Sequence, residues 1–256
     1  MTDHEVLSGG VNQVIRTGAT VRRPTGPWSP LVHRLLRQLR ERGFTAAPDV
    51  RGVTADGFEI LDFLPGEVSD YPATPAAASR EALETAAELL RAYHDAATGP
   101  LTAVTEGWMM AAREPAEVIC HGDYGPHNCV LDGNRTTGII DFDAAHPGPR
   151  LWDIAHAVYR WVPLSTESPR PPAEQAVLAR VFCDRYGLDA AGRAGLVDAV
   201  VARLHALVDF MRTRAAAGNA AFAGHLADGH HLLYLGDAEY LERERAVFER
   251  HLAGGG

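Results

Sequence analysis

One stretch limits the fold more than any other: a β-rich island at residues 118–142, set among long helical patterns. Inside it, Cys129-Val130-Leu131 and the run from Thr136 to Ile140 flank Asp132-Gly133, a strong turn signal between two apolar runs. The spacing predicts a hairpin. Before it, a helix is expected to start at Thr74-Pro75 and carry Leu83, Ala86, Ala87, Leu90 and Tyr93 on one face. After it, helical patterns cover Leu151 to Trp161, Ala173 to Tyr186, Ala190 to Ala217 and Asp237 to Leu252.

The first part of the chain reads differently. Val11 to Arg16 and Ala19 to Arg23 flank Thr17-Gly18, and Val50 to Thr54 and Phe58 to Leu64 flank Ala55-Asp56-Gly57. Both pairs predict hairpins. Between them Leu31, Val32, Leu35, Leu36 and Leu39 mark one helix face, and Gly43 marks its stop. Pro65-Gly66 ends this unit. The expected class is α+β, with a small antiparallel-sheet lobe at 1–64 and a mainly helical lobe at 65–256.

The hairpin has a chemical consequence. It brings the start of one strand, at Asn128, beside the end of the other, at Asp141. An amide oxygen and a carboxylate are hard ligands that suit Mg²⁺, whose other ligands are typically water and phosphate. Asp123 stands five residues before Asn128, on the loop leading in. That places it where a base accepts a hydroxyl proton beside a metal-bound phosphate. His121 and His127 near Asp123 are also zinc-ligand types, but His121 is expected as a buried support for the loop. Asp143 is open to two roles, metal ligand or cap of the next segment.

Composition removes several alternatives. All 24 basic side chains counted as Lys or Arg are Arg. Without lysine there is no Schiff-base chemistry and no Walker A loop. The net charge of -9 argues against a nucleic-acid partner. Cys120, Cys129 and Cys183 are too few for a disulfide framework. No run of about 18 apolar residues predicts a membrane span. The N-terminal Met-Thr-Asp-His-Glu lacks a secretory pattern. A cytoplasmic protein with no membrane partner is expected.

Three segments together resemble the aminoglycoside phosphotransferase family, whose relatives include choline and other small-molecule kinases. They are His121-Gly122-Asp123 with Asn128, Ile139-Ile140-Asp141-Phe142-Asp143, and Leu151-Trp152-Asp153-Ile154-Ala155. Tyr93-His94-Asp95 is similar to a further segment of that family. The resemblance implies a two-lobed protein-kinase-like fold that uses ATP and Mg²⁺. It implies that Asp123 is the catalytic base, that Asn128 and Asp141 bind magnesium, and that Asp153 braces the catalytic loop. Asp62 and Leu64 would offer backbone groups to adenine.

Two departures from the family stand out. Its third strand usually carries a Lys on the nucleotide phosphates, paired with a Glu on the next helix. Counting back from Pro24, Arg22 takes the Lys place and Arg23 is expected on the opposite face. The helix from Leu31 to Arg40 holds no acid, so the usual ion pair is expected to be missing. Gly9-Gly10 is a short stand-in for a phosphate-covering loop. The implied activity is phosphoryl transfer to a small-molecule hydroxyl, on an aminoglycoside-type antibiotic or a metabolite. The missing pair keeps a second reading open, a catalytically degenerate kinase-fold protein that binds a ligand or partner. Residues 151–256 carry 13 acids against 11 Arg, so acidity is not concentrated where a cationic antibiotic would bind.

Overall fold

The computed structural model describes residues 4–7 and 14–254. Gly9-Gly10 and the first residues of the expected strand 11–16 lie outside the described residues. Contacts group the chain into two compact units, Met1–Asp153 and Ile154–Gly256. The expected break near Leu64 to Glu67 falls inside the first unit, between a strand and the next helix.

The first unit begins with five antiparallel strands: β1 (His4–Leu7), β2 (Val14–Thr17), β3 (Thr20–Pro24), β4 (Val50–Val53) and β5 (Phe58–Asp62), in the order β1-β2-β3-β5-β4. β1 carries no pattern strong enough to read from sequence. Helix α1 (Ser29–Glu41) starts beside a proline in its first turn and buries Val32, His33, Leu35, Leu36 and Leu39 on one face. Gly43 follows it at φ +80°, a left-handed position that favours glycine.

Helix α2 (Arg80–Ala96) starts later than the Thr74-Pro75 signal implies. Residues 74–79 form isolated turns, with Ala78 N–H on the Thr74 carbonyl and Ser79 N–H on that of Ala76. Ser79 is the true cap, its hydroxyl accepting from Ala82 N–H at 3.1 Å. A side-chain acceptor on an orphan donor outweighs the proline signal. Two short pairs follow: β6 (Val118–Cys120) against β9 (His146–Gly148), and β7 (Cys129–Asp132) against β8 (Arg135–Ile139). The second is the expected hairpin around Asp132-Gly133; β9 was not legible, being three residues long. α2 is fastened to β8 by Thr136, whose hydroxyl donates to the Ala82 carbonyl at 3.1 Å. Glu67 and Leu131 exchange backbone hydrogen bonds at 2.9 and 2.8 Å, which ties the segment after β5 to β7.

Helix α3 (Arg150–Trp161) runs across the boundary between the units. The second unit continues with α4 (Pro172–Tyr186), α5 (Ala190–Ala194), α6 (Leu196–Ala216), α7 (Ala220–Ala227), α8 (His230–Arg243) and α9 (Arg245–Ala253). Two expected helices are therefore each divided. Gly195 separates α5 from α6, and Glu244 separates α8 from α9. α7, unread in the sequence, buries none of its side chains and so carries no one-sided pattern. Within this unit α6 packs on α8, and α4 on α9. Cys120, Cys129 and Cys183 are buried free thiols. No described helix is long and apolar enough to cross a membrane.

Candidate active site

The loop between β6 and β7 runs from His121 to Asn128, and a buried carboxylate holds its start. Asp153, fully buried on the first turn of α3, accepts from His121 N–H at 2.6 Å and Gly122 N–H at 2.9 Å. The His94 ring, from α2, reaches the same carboxylate at 3.0 Å. Burial alone would raise the Asp153 carboxyl pKa; the hydrogen bond from His94, and then the two His rings and Gly122 N–H, outweigh it and hold the group ionised far below the usual carboxylate range. Burial lowers the His94 pKa, partly offset by Asp153, toward which its Nε2 points.

Gly122 makes this turn possible. Its φ is +81°, and a Cβ there would stand 2.3 Å from the Ala144 carbonyl oxygen. His121 is fully buried, its Nε2 3.0 Å from the Ile140 carbonyl oxygen and its ring edge-on to Phe142 at 4.9 Å. It therefore ties the loop to the far end of the hairpin.

Asp123 follows, with its side chain 39% exposed. Asn128 donates through Nδ2 to Asp123 Oδ2 at 3.0 Å and to the Asp123 carbonyl at 2.9 Å. His127 Nε2 lies 3.2 Å from the same Oδ2. Across the hairpin Ile140 N–H donates to the Asn128 carbonyl at 3.0 Å, so Asp141 lies one residue from the residue paired with Asn128. Asp141 is the one non-glycine among the described residues at positive φ, +59°. Aspartate tolerates that region better than most residues, and such positions concentrate at functional sites. The Asn128 amide oxygen and the half-exposed Asp141 carboxylate are hard oxygen donors, of the kind that suits Mg²⁺.

The charge facing Asp141 comes from β3, and here the sequence expectation is reversed. Arg22 lies on the other face, paired with Asp56 and stacked 4.0 Å over the Phe58 ring. Arg23, only 8% exposed, turns toward the hairpin. Its Nη1 donates to Asp141 at 2.9 Å, its Nη2 to Asp143 at 2.6 Å and its Nε to Glu59 at 2.5 Å. Register explains the reversal: Val21 pairs with the buried Leu61 and Arg23 with the buried Glu59, so the even-numbered Arg22 belongs to the opposite face.

The ion pair expected to be missing is thus supplied from within the sheet. Glu59 comes from β5, and α1 contributes His33, whose Nε2 meets the other Glu59 oxygen. Burial would lower the Arg23 pKa, but Asp141, Asp143 and Glu59 outweigh it and keep the guanidinium charged. Burial raises the Asp143 pKa, partly offset by Arg23. Asp143, the residue with two open roles, is bound to Arg23.

Asp62 and Leu64 sit at the end of β5. Asp62 N–H donates to the Asp49 carbonyl at 3.0 Å, and its carboxylate is taken by Arg51. Among the described residues Leu64 N–H has no protein acceptor.

Glu59 and His33 were not singled out from sequence, while His94 entered only within the Tyr93-His94-Asp95 segment and His127 only as a zinc-ligand type. For Glu59 a signal existed. It alternates with Leu61 on one strand face, so an acid was pointing inward where only a buried cation could match it. His33 and His94 lie on helices and meet partners from distant segments, Glu59 and Asp153.

A small antiparallel sheet, a linking segment and a loop braced by a helix-borne Asp are the arrangement of the protein-kinase-like fold of the small-molecule kinases. Comparison with known proteins agrees. The phosphotransferase enzyme family matches residues 100–196. The trifolitoxin immunity protein of Rhizobium leguminosarum bv. trifolii is 33% identical over 217 residues, 78% of this chain and 80% of that one. A choline/ethanolamine kinase family protein from Mesorhizobium loti superposes with a TM-score of 0.67 at 19% identity, over 98% of this chain and 91% of that one. An aminoglycoside phosphotransferase from Streptomyces rimosus, solved with ADP and streptomycin, gives 0.51 at 18% identity, over 74% of this chain and 88% of that one. The chain belongs to the phosphotransferase enzyme family.

Proposed function

We propose that the protein transfers the γ-phosphoryl group of ATP to a hydroxyl of a small molecule. The observation that carries this is the grouping, at one hairpin and the loop leading into it, of a part-exposed Asp123, Asn128 and a half-exposed Asp141, with the start of that loop fixed by buried Asp153. In this scheme Asp123 takes the hydroxyl proton as the acceptor oxygen bonds to phosphorus. The bond to the β–γ bridging oxygen breaks and ADP leaves. Asn128 and Asp141 would hold Mg²⁺, which when bound neutralises phosphate charge. Arg23, and not Arg22, supplies the cation for the phosphates. The Leu64 N–H and the Asp62 carbonyl would meet adenine. With ATP as donor, the cytoplasm is the compartment we assign.

The acceptor class is drawn from the relatives. One is named a toxin immunity protein and another was solved with streptomycin. The immunity name favours a toxin or antibiotic, while the choline/ethanolamine kinase family neighbour keeps a metabolite amine in the panel. The immunity name also supports the second reading, protection by binding without phosphorylation. A mass-spectrometric assay separates them. Purified protein is given ATP, Mg²⁺ and a panel of aminoglycosides, other hydroxylated antibiotics, peptide toxins and hydroxylated amines. A phosphorylated product with stoichiometric ADP is expected. ATP left intact with every acceptor, alongside tight binding of one of them, would replace catalysis by sequestration.

A further inference from the structure

Arg23 meets three carboxylates, one at each donor nitrogen, and the three are buried to different degrees. Glu59 is 1% exposed at its side chain and is also held by His33. Asp143 is 17% exposed and Asp141 is 48% exposed. The Nε contact with Glu59 therefore lies inside the protein, while the Nη1 contact with Asp141 faces the site. Counting these four groups alone, one positive charge faces three negative ones. The deficit equals the charge of one divalent cation. Yet one oxygen of the carboxylate that would take that cation, Asp141 Oδ1, is already hydrogen-bonded to Arg23.

We infer that Arg23 is a resident counter-cation that holds Asp141 until nucleotide phosphates draw Nη1 away, so that divalent metal and nucleotide enter the site together. The inference rests on the nucleotide reading above and adds an order of events to it. Arg suits the task because its planar fork carries several donors. Nε stays on Glu59 while Nη1 exchanges one oxygen acceptor for another. A lysine, a single point charge, has no second anchor to keep. Phosphate oxygens are the kind of acceptor that can compete with Asp141, being anionic and matched to the guanidinium fork. Metal alone must share the carboxylate with an arginine that holds one of its oxygens; metal with nucleotide finds both oxygens released. By linkage, each ligand then tightens the other by the same factor.

The test uses Mn²⁺ as the metal probe, with free Mn²⁺ read by electron paramagnetic resonance. The full chain is compared with Arg23→Met/Glu59→Gln, which removes the cation together with its buried partner so that no lone Glu59 charge remains. Without nucleotide, the double variant is expected to bind Mn²⁺ about tenfold or more tightly than wild type. ATP should raise Mn²⁺ affinity strongly in wild type and far less in the variant. Equal metal affinity without nucleotide, or equal enhancement by ATP, would overturn the latch and leave the phosphotransferase reading standing. No Mn²⁺ binding to wild type even with ATP would overturn both.

Wild type alone supplies a second measurement should the variant fail to fold. Its melting temperature should barely move with Mn²⁺, and should rise with Mn²⁺ and ATP together. A rise with Mn²⁺ alone as large as with the pair would contradict the latch.

Discussion

Asp153 is a carboxylate without solvent, its oxygens filled by two backbone N–H groups and the His94 ring. Replacing it with Asn puts an amide NH₂ among donors that need an acceptor. Asp153→Asn should therefore cost about 3 kcal/mol at pH 7, the scale of leaving the partners of a buried charged group unsatisfied. The pH dependence follows from the lowered pKa. The native carboxyl binds its proton only well below the unfolded value near 4, so its stabilisation is complete above that value and fades as pH falls beneath it. Urea titrations at pH 7 and pH 3 should find the gap between wild type and variant smaller at pH 3; a constant gap would contradict the assignment. Arg22→Ala, by contrast, removes an exposed pair with Asp56 and should change stability by no more than about 0.5 kcal/mol and leave ATP affinity unaltered. A large loss of affinity in calorimetric titration would restore Arg22 to the site. Residues placed by one hairpin, such as Asn128 and Asp141, were legible because a turn signal sets their neighbours. Arg22 and Arg23 were not, since motif counting from Pro24 ignored strand parity, which Val21 and Leu61 already encode.

Elements were legible where one face is buried and less so where a terminus depends on a side-chain cap. α1 and the Asp132-Gly133 hairpin lie where alternation and periodicity put them. The start of α2 does not, because Ser79, five residues after Thr74, accepts from Ala82 N–H. Ser79→Ala should cost about 1 kcal/mol in denaturant unfolding while nucleotide affinity stays unchanged. A shift below a few tenths would return the helix start to Thr74-Pro75. The turn that presents Asp123 is stricter. Gly122→Ala combines a left-handed φ with a Cβ 2.3 Å from the Ala144 carbonyl oxygen, and Ala144 backbone cannot yield without moving Phe142 and Asp143. A loss of at least about 2 kcal/mol is expected, with lowered turnover in whatever protein folds. Wild-type melting and turnover would show the loop to be more pliant than its packing indicates.

At the scale of the molecule, three short motifs spaced across residues 121–155 were enough to indicate the family, and the five-stranded sheet with its helical partners agrees with it. The acceptor was not legible, and for a physical reason. Binding specificity comes from many side chains on separate helices, with no fixed spacing in the chain. The division of Ala190–Ala217 at Gly195 and the appearance of α7 illustrate the same difficulty in the second unit. The account stands on Asp123 being the group that takes the proton. Single-turnover transfer from ATP–Mg²⁺ to the acceptor found in the panel, in wild type and Asp123→Asn, tests that directly. ATP affinity should match between the two while the transfer rate falls by about 10²–10⁴-fold. Transfer at the wild-type rate in Asp123→Asn would contradict the account.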